Sequence, residues 1–170
     1  GHVDLVFEKI KEALNDNMHL ILNADDPYLQ KFNLDNKYKV TYYGISNNKY
    51  TYKNNKFNNI NMYYCPKCMK KLKYNYYHFE ATGDYYCDCG FKRPNIDYYA
   101  TNINLDKSIM TINNKYDINI SFNVLYYAYN ILASYSVCKL VGLDESDISK
   151  YISSMENNKK LNDSYKYKNR

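Results

Sequence analysis

Glycine is scarce in this sequence, and its positions exclude one class of nucleotide site. The 170 residues include five glycines, three prolines and no tryptophan. The glycines are isolated from one another, at Gly1, Gly44, Gly83, Gly90 and Gly142. No segment therefore has the G-x-x-x-x-G-K-[ST] pattern, in which backbone amides and a lysine bind phosphates. These 170 residues do not supply a P-loop for ATP.

Long apolar runs are missing as well. No stretch approaches the roughly 18 consecutive apolar residues that cross a bilayer. The N-terminus also lacks the basic and then apolar order of a signal peptide. We therefore expect a soluble, cytoplasmic protein without a transmembrane segment.

The charge is mild and evenly distributed. The net charge is +5, from 23 Lys and Arg beside 18 Asp and Glu. The 23 tyrosines accompany many Asn, Lys and Ile residues, as expected from the codon bias of an AT-rich genome, so tyrosine richness alone indicates no ligand. This composition permits contact with an anionic partner but does not predict one.

A lysine group near the middle of the chain allows one alternative function. Lys67, Lys70, Lys71 and Lys73 stand among tyrosines, and such a face can bind single-stranded nucleic acid by charge and stacking. Asp84 and Asp88 interrupt the group, which favours an ordinary solvated surface. We expect no nucleic-acid partner, and a module that contacts nucleic acid or another protein remains the alternative.

Four of the five cysteines form two close pairs. The spacing is Cys65-x2-Cys68, then 18 residues, then Cys87-x-Cys89. Two tight turns on neighbouring hairpins can bring four sulfurs to one tetrahedral point, as structural zinc requires. We predict a zinc ion that shapes the fold and leaves no open position for chemistry. Free or redox-active thiols, and His78 in place of one sulfur, are the alternatives.

The remaining pattern predicts an α/β fold with a mainly parallel sheet and flanking helices, interrupted by the zinc ribbon. Residues 1–59 and 94–155 form the α/β part, residues 60–93 the ribbon, and the polar tail 156–170 is expected to be disordered. Cys138 is expected to be a buried apolar residue of a helix. The predicted helices cover Val3–Leu14, a short segment starting at Pro27 and capped by Asp26, Leu125–Val141, and a last segment starting at Asp144. The predicted strands are Met18–Leu22, Val40–Ile45, Leu72–Phe79, Asp84–Tyr86, Tyr98–Leu105, Ile109–Ile112 and Tyr116–Phe122.

Several short segments occur here in the order seen in one family of Mur ligases. They are LNADDP (22–27), YYGI (42–45), CPKC (65–68), YYC (85–87), CGFKRP (89–94) and YNILA (129–133). The N-A-D-D-P segment is common to Mur ligases, and a four-cysteine ribbon within their central domain is typical of MurT-like proteins. Over about residues 1–155 the sequence thus resembles the MurT family, the Mur-ligase-like subunits of lipid II isoglutaminyl synthase.

The resemblance implies an ATP- and Mg-dependent amidation. In that family ATP phosphorylates the α-carboxylate of D-glutamate in lipid II, and ammonia from a GatD glutaminase partner displaces the phosphate. Asn23, Asp25 and Asn130 match residues at the nucleotide site. A turn and a helix cap explain the loop around Asn23 and Asp26 equally well.

Two departures from the family pattern limit this expectation. Tyr127 stands where the family has the first Asn of its adenine-side N-x-Y-N segment, and a phenol cannot offer the paired donor and acceptor of a carboxamide. The family's P-loop would lie upstream of Gly1 and its C-terminal ligase domain downstream of the tail. We therefore expect a fragment, or a decayed gene product, from the central domain, with no catalytic residue of its own and no amidating activity when isolated.

Overall fold

The fold is described from a computed structural model of the chain, which describes residues 2–54, 64–119 and 125–155. These described residues contain three α-helices, α1 (His2–Ala13), α2 (Tyr126–Leu140) and α3 (Glu145–Met155). A 3-10 helix covers Leu29–Asn33. The strands are β1 (His19–Asn23), β2 (Lys39–Ile45), β3 (Lys73–Phe79), β4 (Thr82–Tyr86), β5 (Tyr98–Asn104), β6 (Ile109–Ile112) and β7 (Tyr116–Asn119).

The main sheet is mixed, with the strand order β1-β2-β5-β6-β7. β1, β2 and β5 run parallel, and β6 and β7 extend the sheet as antiparallel strands. The loop between β6 and β7 is the three residues Asn113, Asn114 and Lys115. Asn113 and Asn114 both have positive φ (50° and 57°), and the N–H of Lys115 donates to the carbonyl of Ile112 at 3.0 Å, as in the tight turns of β-hairpins. The predicted α/β fold is confirmed, with three of the five strands of this sheet parallel and two antiparallel.

The strand residues alternate between two apolar layers, as the two-residue repeat of a β-strand requires. In β2, Val40 and Tyr42 pack with α1 and the 3-10 helix, whereas Tyr43 and Ile45 pack on the side of α2 and α3. The first layer centres on Phe7, whose ring stacks on Phe32 with centroids 4.0 Å apart. Cys138 is half-buried beside the second layer, which is close to the buried position predicted for it.

The helix predicted to begin at Pro27 begins later and is a different kind of helix. The carboxylate of Asp26 accepts the backbone N–H of Tyr28 at 2.8 Å, which makes a local turn, and the 3-10 helix starts at Leu29. Apolar spacing over so few residues cannot separate a 3-10 from an α-helical turn. Gly142, with φ of +87°, ends α2 as predicted.

β3 and β4 form a separate two-stranded antiparallel sheet, as predicted for the ribbon. Its chain segment lies between β2 and β5, which are neighbours in the main sheet. The parts of the predictions that fall on residues 60–63, 120–122 and 156–170 lie outside the described residues. Among the described helices, none is long and apolar enough to cross a membrane.

Candidate functional site

The four paired cysteines meet at one point. Their Sγ atoms all lie within 4.8 Å of one another. The closest approaches cross between the two pairs, at 3.6 Å from Cys65 to Cys89 and 3.5 Å from Cys68 to Cys87. A tetrahedral zinc with Zn–S bonds of about 2.3 Å would separate its sulfurs by about 3.8 Å. The cluster can therefore hold such an ion with little adjustment.

Tight turns position both pairs. In the first, the N–H of Met69 donates to the carbonyl of Cys65 at 2.8 Å, and Met69 takes a positive φ of 59°. In the second, the N–H of Gly90 donates to the carbonyl of Cys87 at 3.0 Å, with φ of +87° at Gly90. A glycine takes that backbone without strain, which explains Gly90 directly after the second pair.

The surroundings of the sulfurs suit bound thiolates. The backbone N–H of Phe91 donates to Cys89 and lowers the pKa of that thiol to about 7. Burial raises the pKa of Cys65 to about 12, because an unpaired thiolate is poorly solvated there. A metal cation at the centre would supply the positive charge that such thiolates need. All four positions are then filled by protein, so the site has no place for a substrate.

His78 lies away from this cluster. Its Nε2 donates to the carbonyl of Ile45 at 2.7 Å, and its side chain is fully buried. Among the described residues the group of close metal-ligand atoms consists of the four cysteines alone. The geometry therefore favours four sulfurs over the alternative that includes His78.

Asp25 is the second centre of the molecule, at the end of β1. Its side chain has no exposed area and contacts four donor atoms on three residues. Oδ1 accepts Arg93 Nε at 2.6 Å, and the other guanidinium nitrogen also contacts it. Oδ2 accepts the N–H of Ile45 and the hydroxyl of Tyr129, each at 2.8 Å. The carboxylate thus joins β1, β2, α2 and the end of the ribbon.

The ionisation of this buried group follows from opposing effects. Burial raises the pKa of Asp25 to about 6, and the positive charge of Arg93 limits that rise. Asp25 is therefore ionised at pH 7. Burial and the nearby Arg93 charge lower the pKa of His78 to about 3. His78 is consequently neutral, and its separation of 3.8 Å from Asp25 Oδ2 is not an ion pair.

The three residues matched to the nucleotide site occupy different surroundings. Asn23 is buried, and its Oδ1 accepts the N–H of Asp25 at 3.0 Å. Asn130 is on the exposed side of α2, next to the buried Tyr129. Tyr127, at the departure from the family pattern, is 38% exposed. The structure therefore brings Asn23 and Asp25 together and leaves Asn130 outside that network.

A shallow cleft of about 320 Å³ opens beside the Asp25 network. Ser46, Asp84, Arg93 and Asn95 supply its polar groups, and Ile96 and Tyr99 form part of its wall.

On the ribbon surface, Lys73 pairs with Asp88 at 2.7 Å, so one of the four clustered lysines is neutralised within the ribbon. This pairing agrees with an ordinary charged surface.

Sequence reasoning missed Arg93 and Tyr129 as partners of Asp25, and His78 as its buried neutral neighbour. Arg93 and Tyr129 stand 68 and 104 positions from Asp25 in the chain. Spacing patterns report only local neighbours, so they cannot pair such residues. An arginine at the exit of the ribbon and an aspartate directly after an apolar strand were the available signals.

Comparison with known proteins shows a similarity to MurT. The chain is 33% identical over 151 residues to the MurT subunit of lipid II isoglutaminyl synthase from two Staphylococcus aureus strains, COL and N315. The predicted resemblance to MurT is confirmed. The match covers 87% of this chain and 33% of MurT, so the chain spans about a third of the length of these relatives.

A solved structure agrees with this similarity to MurT. The chain superposes on a pseudomurein peptide ligase type C from Methanothermus fervidus with a TM-score of 0.62 and 29% sequence identity. That alignment covers 80% of this chain and 27% of the ligase. No family model matches the sequence. The α/β fold is thus similar to that of a Mur-ligase-like enzyme, and it contains a four-cysteine cluster.

Proposed function

We propose that this chain is the central-domain part of a MurT-type ligase that amidates lipid II. ATP phosphorylates the α-carboxylate of D-glutamate in the stem peptide, and ammonia from a GatD-type glutaminase displaces the phosphate. A carboxylate is a poor electrophile, and phosphate is a far better leaving group than oxide, so this activation is needed. ATP supply places the reaction on the cytoplasmic side of the membrane. The MurT similarity over 87% of the chain carries the proposal.

The end of β1 is the proposed border of the nucleotide site. In open α/β sheets, ligands collect at the carboxyl ends of parallel strands, where Asn23 and Asp25 stand. Because Asp25 is fully buried, its role is to fix the loop 23–26, and exposed atoms nearby would contact the nucleotide. Asn130 supplies an exposed carboxamide on α2 for the adenine end of ATP.

The proposed metal is one structural zinc held by Cys65, Cys68, Cys87 and Cys89. Sulfur separations of 3.5 and 3.6 Å between the pairs support a tetrahedral ion. Atomic emission spectroscopy of protein purified without chelator should show one zinc ion per chain. A Cys68→Ser variant should bind much less, whereas Cys138→Ser, which alters the cysteine outside the cluster, should bind normally. Protein with no stoichiometric zinc would contradict this assignment.

A chimeric enzyme tests the amidation itself. Residues 1–155 would replace the matching third of Staphylococcus aureus MurT, and the chimera would be assayed with a GatD-type glutaminase, ATP, glutamine and lipid II. We expect ATP- and glutamine-dependent amidation of lipid II, seen as a mass loss of about 1 Da when OH becomes NH2. A Cys65→Ser chimera serves as the folding-defective control. A chimera that folds and binds zinc but never amidates would count against the proposal.

A further inference from the structure

Arg93 belongs to the ribbon by its backbone and to the α/β part by its side chain. It stands four positions after Cys89 in the sequence. Its N–H donates to the carbonyl of Tyr85 at 2.9 Å, and the N–H of Cys87 donates to the carbonyl of Phe91 at 2.7 Å. These two bonds fold the chain after the second cysteine pair back onto β4. The turn that holds Cys87 and Cys89 therefore also fixes the position of residue 93.

Packing strengthens this connection. The ring of Phe91 stacks on that of Tyr85 with centroids 5.5 Å apart. Tyr85 is buried in one small apolar cluster with Cys65, Leu72 and Cys87. A disturbance of the cysteine cluster would therefore also disturb Tyr85, which accepts the N–H of Arg93, and Phe91, which stacks on Tyr85.

The guanidinium spans the boundary between the two parts. It donates to Asp25 Oδ1 at 2.6 Å, to the carbonyl of Ile45 at 2.8 Å and to the hydroxyl of Tyr76 at 3.1 Å. A second link runs beside it, since the N–H of Gly83 donates to the backbone carbonyl of Asp25 at 2.9 Å. The ribbon therefore holds both the side chain and the backbone of Asp25.

We propose that Arg93 couples metal binding at the four cysteines to the shape of the loop 23–26. With metal bound, the ordered Cys87–Arg93 turn keeps the guanidinium on Asp25. Loss of the metal frees the turn, withdraws Arg93 and loosens the loop at the end of β1. Arg93 is thus a positioning residue that acts through Asp25. The inference rests on the proposed metal site, and it deepens the proposed function because that loop borders the proposed nucleotide site.

Hydrogen exchange on the full 170-residue chain, with and without chelator, tests the coupling. Three amides report on it: Ile45 donates to Asp25 Oδ2, Asp25 to Asn23 Oδ1, and Gly83 to the Asp25 carbonyl. On chelation we expect protection at all three to fall by about tenfold or more, the scale of one charge-assisted hydrogen bond. The amides of Met110 and Ile118, in the core of the distant antiparallel strands, should change little.

Variants separate coupling from a general loss of structure. In Arg93→Met, the metal should still bind, and chelation should no longer change protection at Ile45 and Asp25. Lys73→Met is the matched control, because it also removes one ribbon cation but leaves the Asp25 network intact; it should behave like wild type. The double variant Asp25→Asn, Arg93→Met removes both buried charges, and it replaces Arg93→Met in the same chelation experiment if that single variant does not fold.

The outcomes distinguish this inference from the proposals before it. Exposure of the Cys65 and Cys87 amides on chelation, with Ile45 and Asp25 still fully protected, would overturn the coupling while the metal site stands. An equal chelator response in wild type and in the folded Arg93 variants would also overturn it. A chain that binds no metal at all would instead refute the metal site. None of these results depends on the ligase assignment.

Discussion

Gly44 leaves room for the Asp25 carboxylate. A Cβ at position 44 would lie 2.6 Å from Asp25 Oδ1 and 2.9 Å from Ile96 Cδ1. We expect Gly44→Ala to push the carboxylate away from Arg93 and to lower the free energy of unfolding by about 1–3 kcal/mol. Urea denaturation of both proteins measures this. The double variant Gly44→Ala, Ile96→Val should recover little of the lost stability, because the contact between the new Cβ and the Asp25 carboxylate remains. Unchanged stability would show that the buried carboxylate can relax freely.

The neutral state of His78 predicts a pH dependence. Its pKa falls from 6.5 to about 3 on folding, so its contribution to stability is present above pH 6.5 and is lost as the pH falls toward 3. By about pH 5 the loss should reach about 2 kcal/mol. A His78→Gln variant can still donate to Ile45 and cannot titrate, so it should lack this loss.

The measurement is the difference in unfolding free energy between these two proteins at several pH values. Asp25 has a raised pKa, so its own contribution runs the opposite way: it is present below the unfolded value of 3.8 and is lost as the pH rises through about 6. Because both proteins contain Asp25, that contribution cancels in the difference. A difference that stays constant from pH 7 to about pH 5 would show that His78 can be protonated in the folded state.

At the scale of single residues, the sequence predicted the four-cysteine cluster and missed the hydrogen-bond network of Asp25. Four cysteines in two short pairs are a local pattern with a chemical requirement, so their meeting could be expected. The Asp25 network joins residues from β1, β2, α2 and the ribbon exit, and nothing local connects them. The loop 23–26 was recognised as a turn, yet the full burial of Asp25 depends on which elements cover it.

Among the elements, the ribbon has a small core of its own. Its apolar cluster contains the buried residues Cys65, Leu72, Tyr85 and Cys87, and two of these are proposed sulfur ligands. So little buried area cannot offset the entropy of ordering the segment without a metal. We expect strong chelator to unfold residues 64–93 while the main sheet keeps its structure. Circular dichroism with limited proteolysis would show this as cleavage confined to the ribbon.

Strands and long helices were the most predictable elements. The β6–β7 hairpin was indicated by two asparagines between apolar runs, and both adopt positive φ. α2 was indicated by a long apolar run that ends at Gly142. The 3-10 helix was not, because its buried residues, Gln30 and Phe32, are too few to define a helical period.

For the molecule as a whole, the helix and strand pattern and the resemblance both predicted the fold class, and neither predicted the sheet order. Short apolar strands have no marker of their neighbours, so the order β1-β2-β5-β6-β7 could not be read from them, and the turn residues between β6 and β7 indicated only that these two strands pair with each other. The relation to MurT came from the order of six short segments, each weak alone.

The isolated chain is expected to lack amidating activity. Its 170 residues contain no P-loop, so nothing in them matches the usual cradle for the γ-phosphate. Incubation with lipid II, ATP, glutamine and a GatD-type glutaminase should leave the lipid II mass unchanged. The chimera described above, under the same conditions, is the positive control. Conversion of lipid II by the 170 residues alone would refute this expectation.

The position of the ribbon between β2 and β5 has a consequence for protein engineering. Neighbouring parallel strands cannot be joined by a tight hairpin, so the chain must return along the sheet before the second strand begins. In this molecule the four-cysteine segment lies in that connection, which is a helix in most α/β proteins. A variant in which a minimal loop replaces this segment would therefore need another connection between β2 and β5. It would also need a new positive charge beside Asp25, because Arg93 would be removed with the segment.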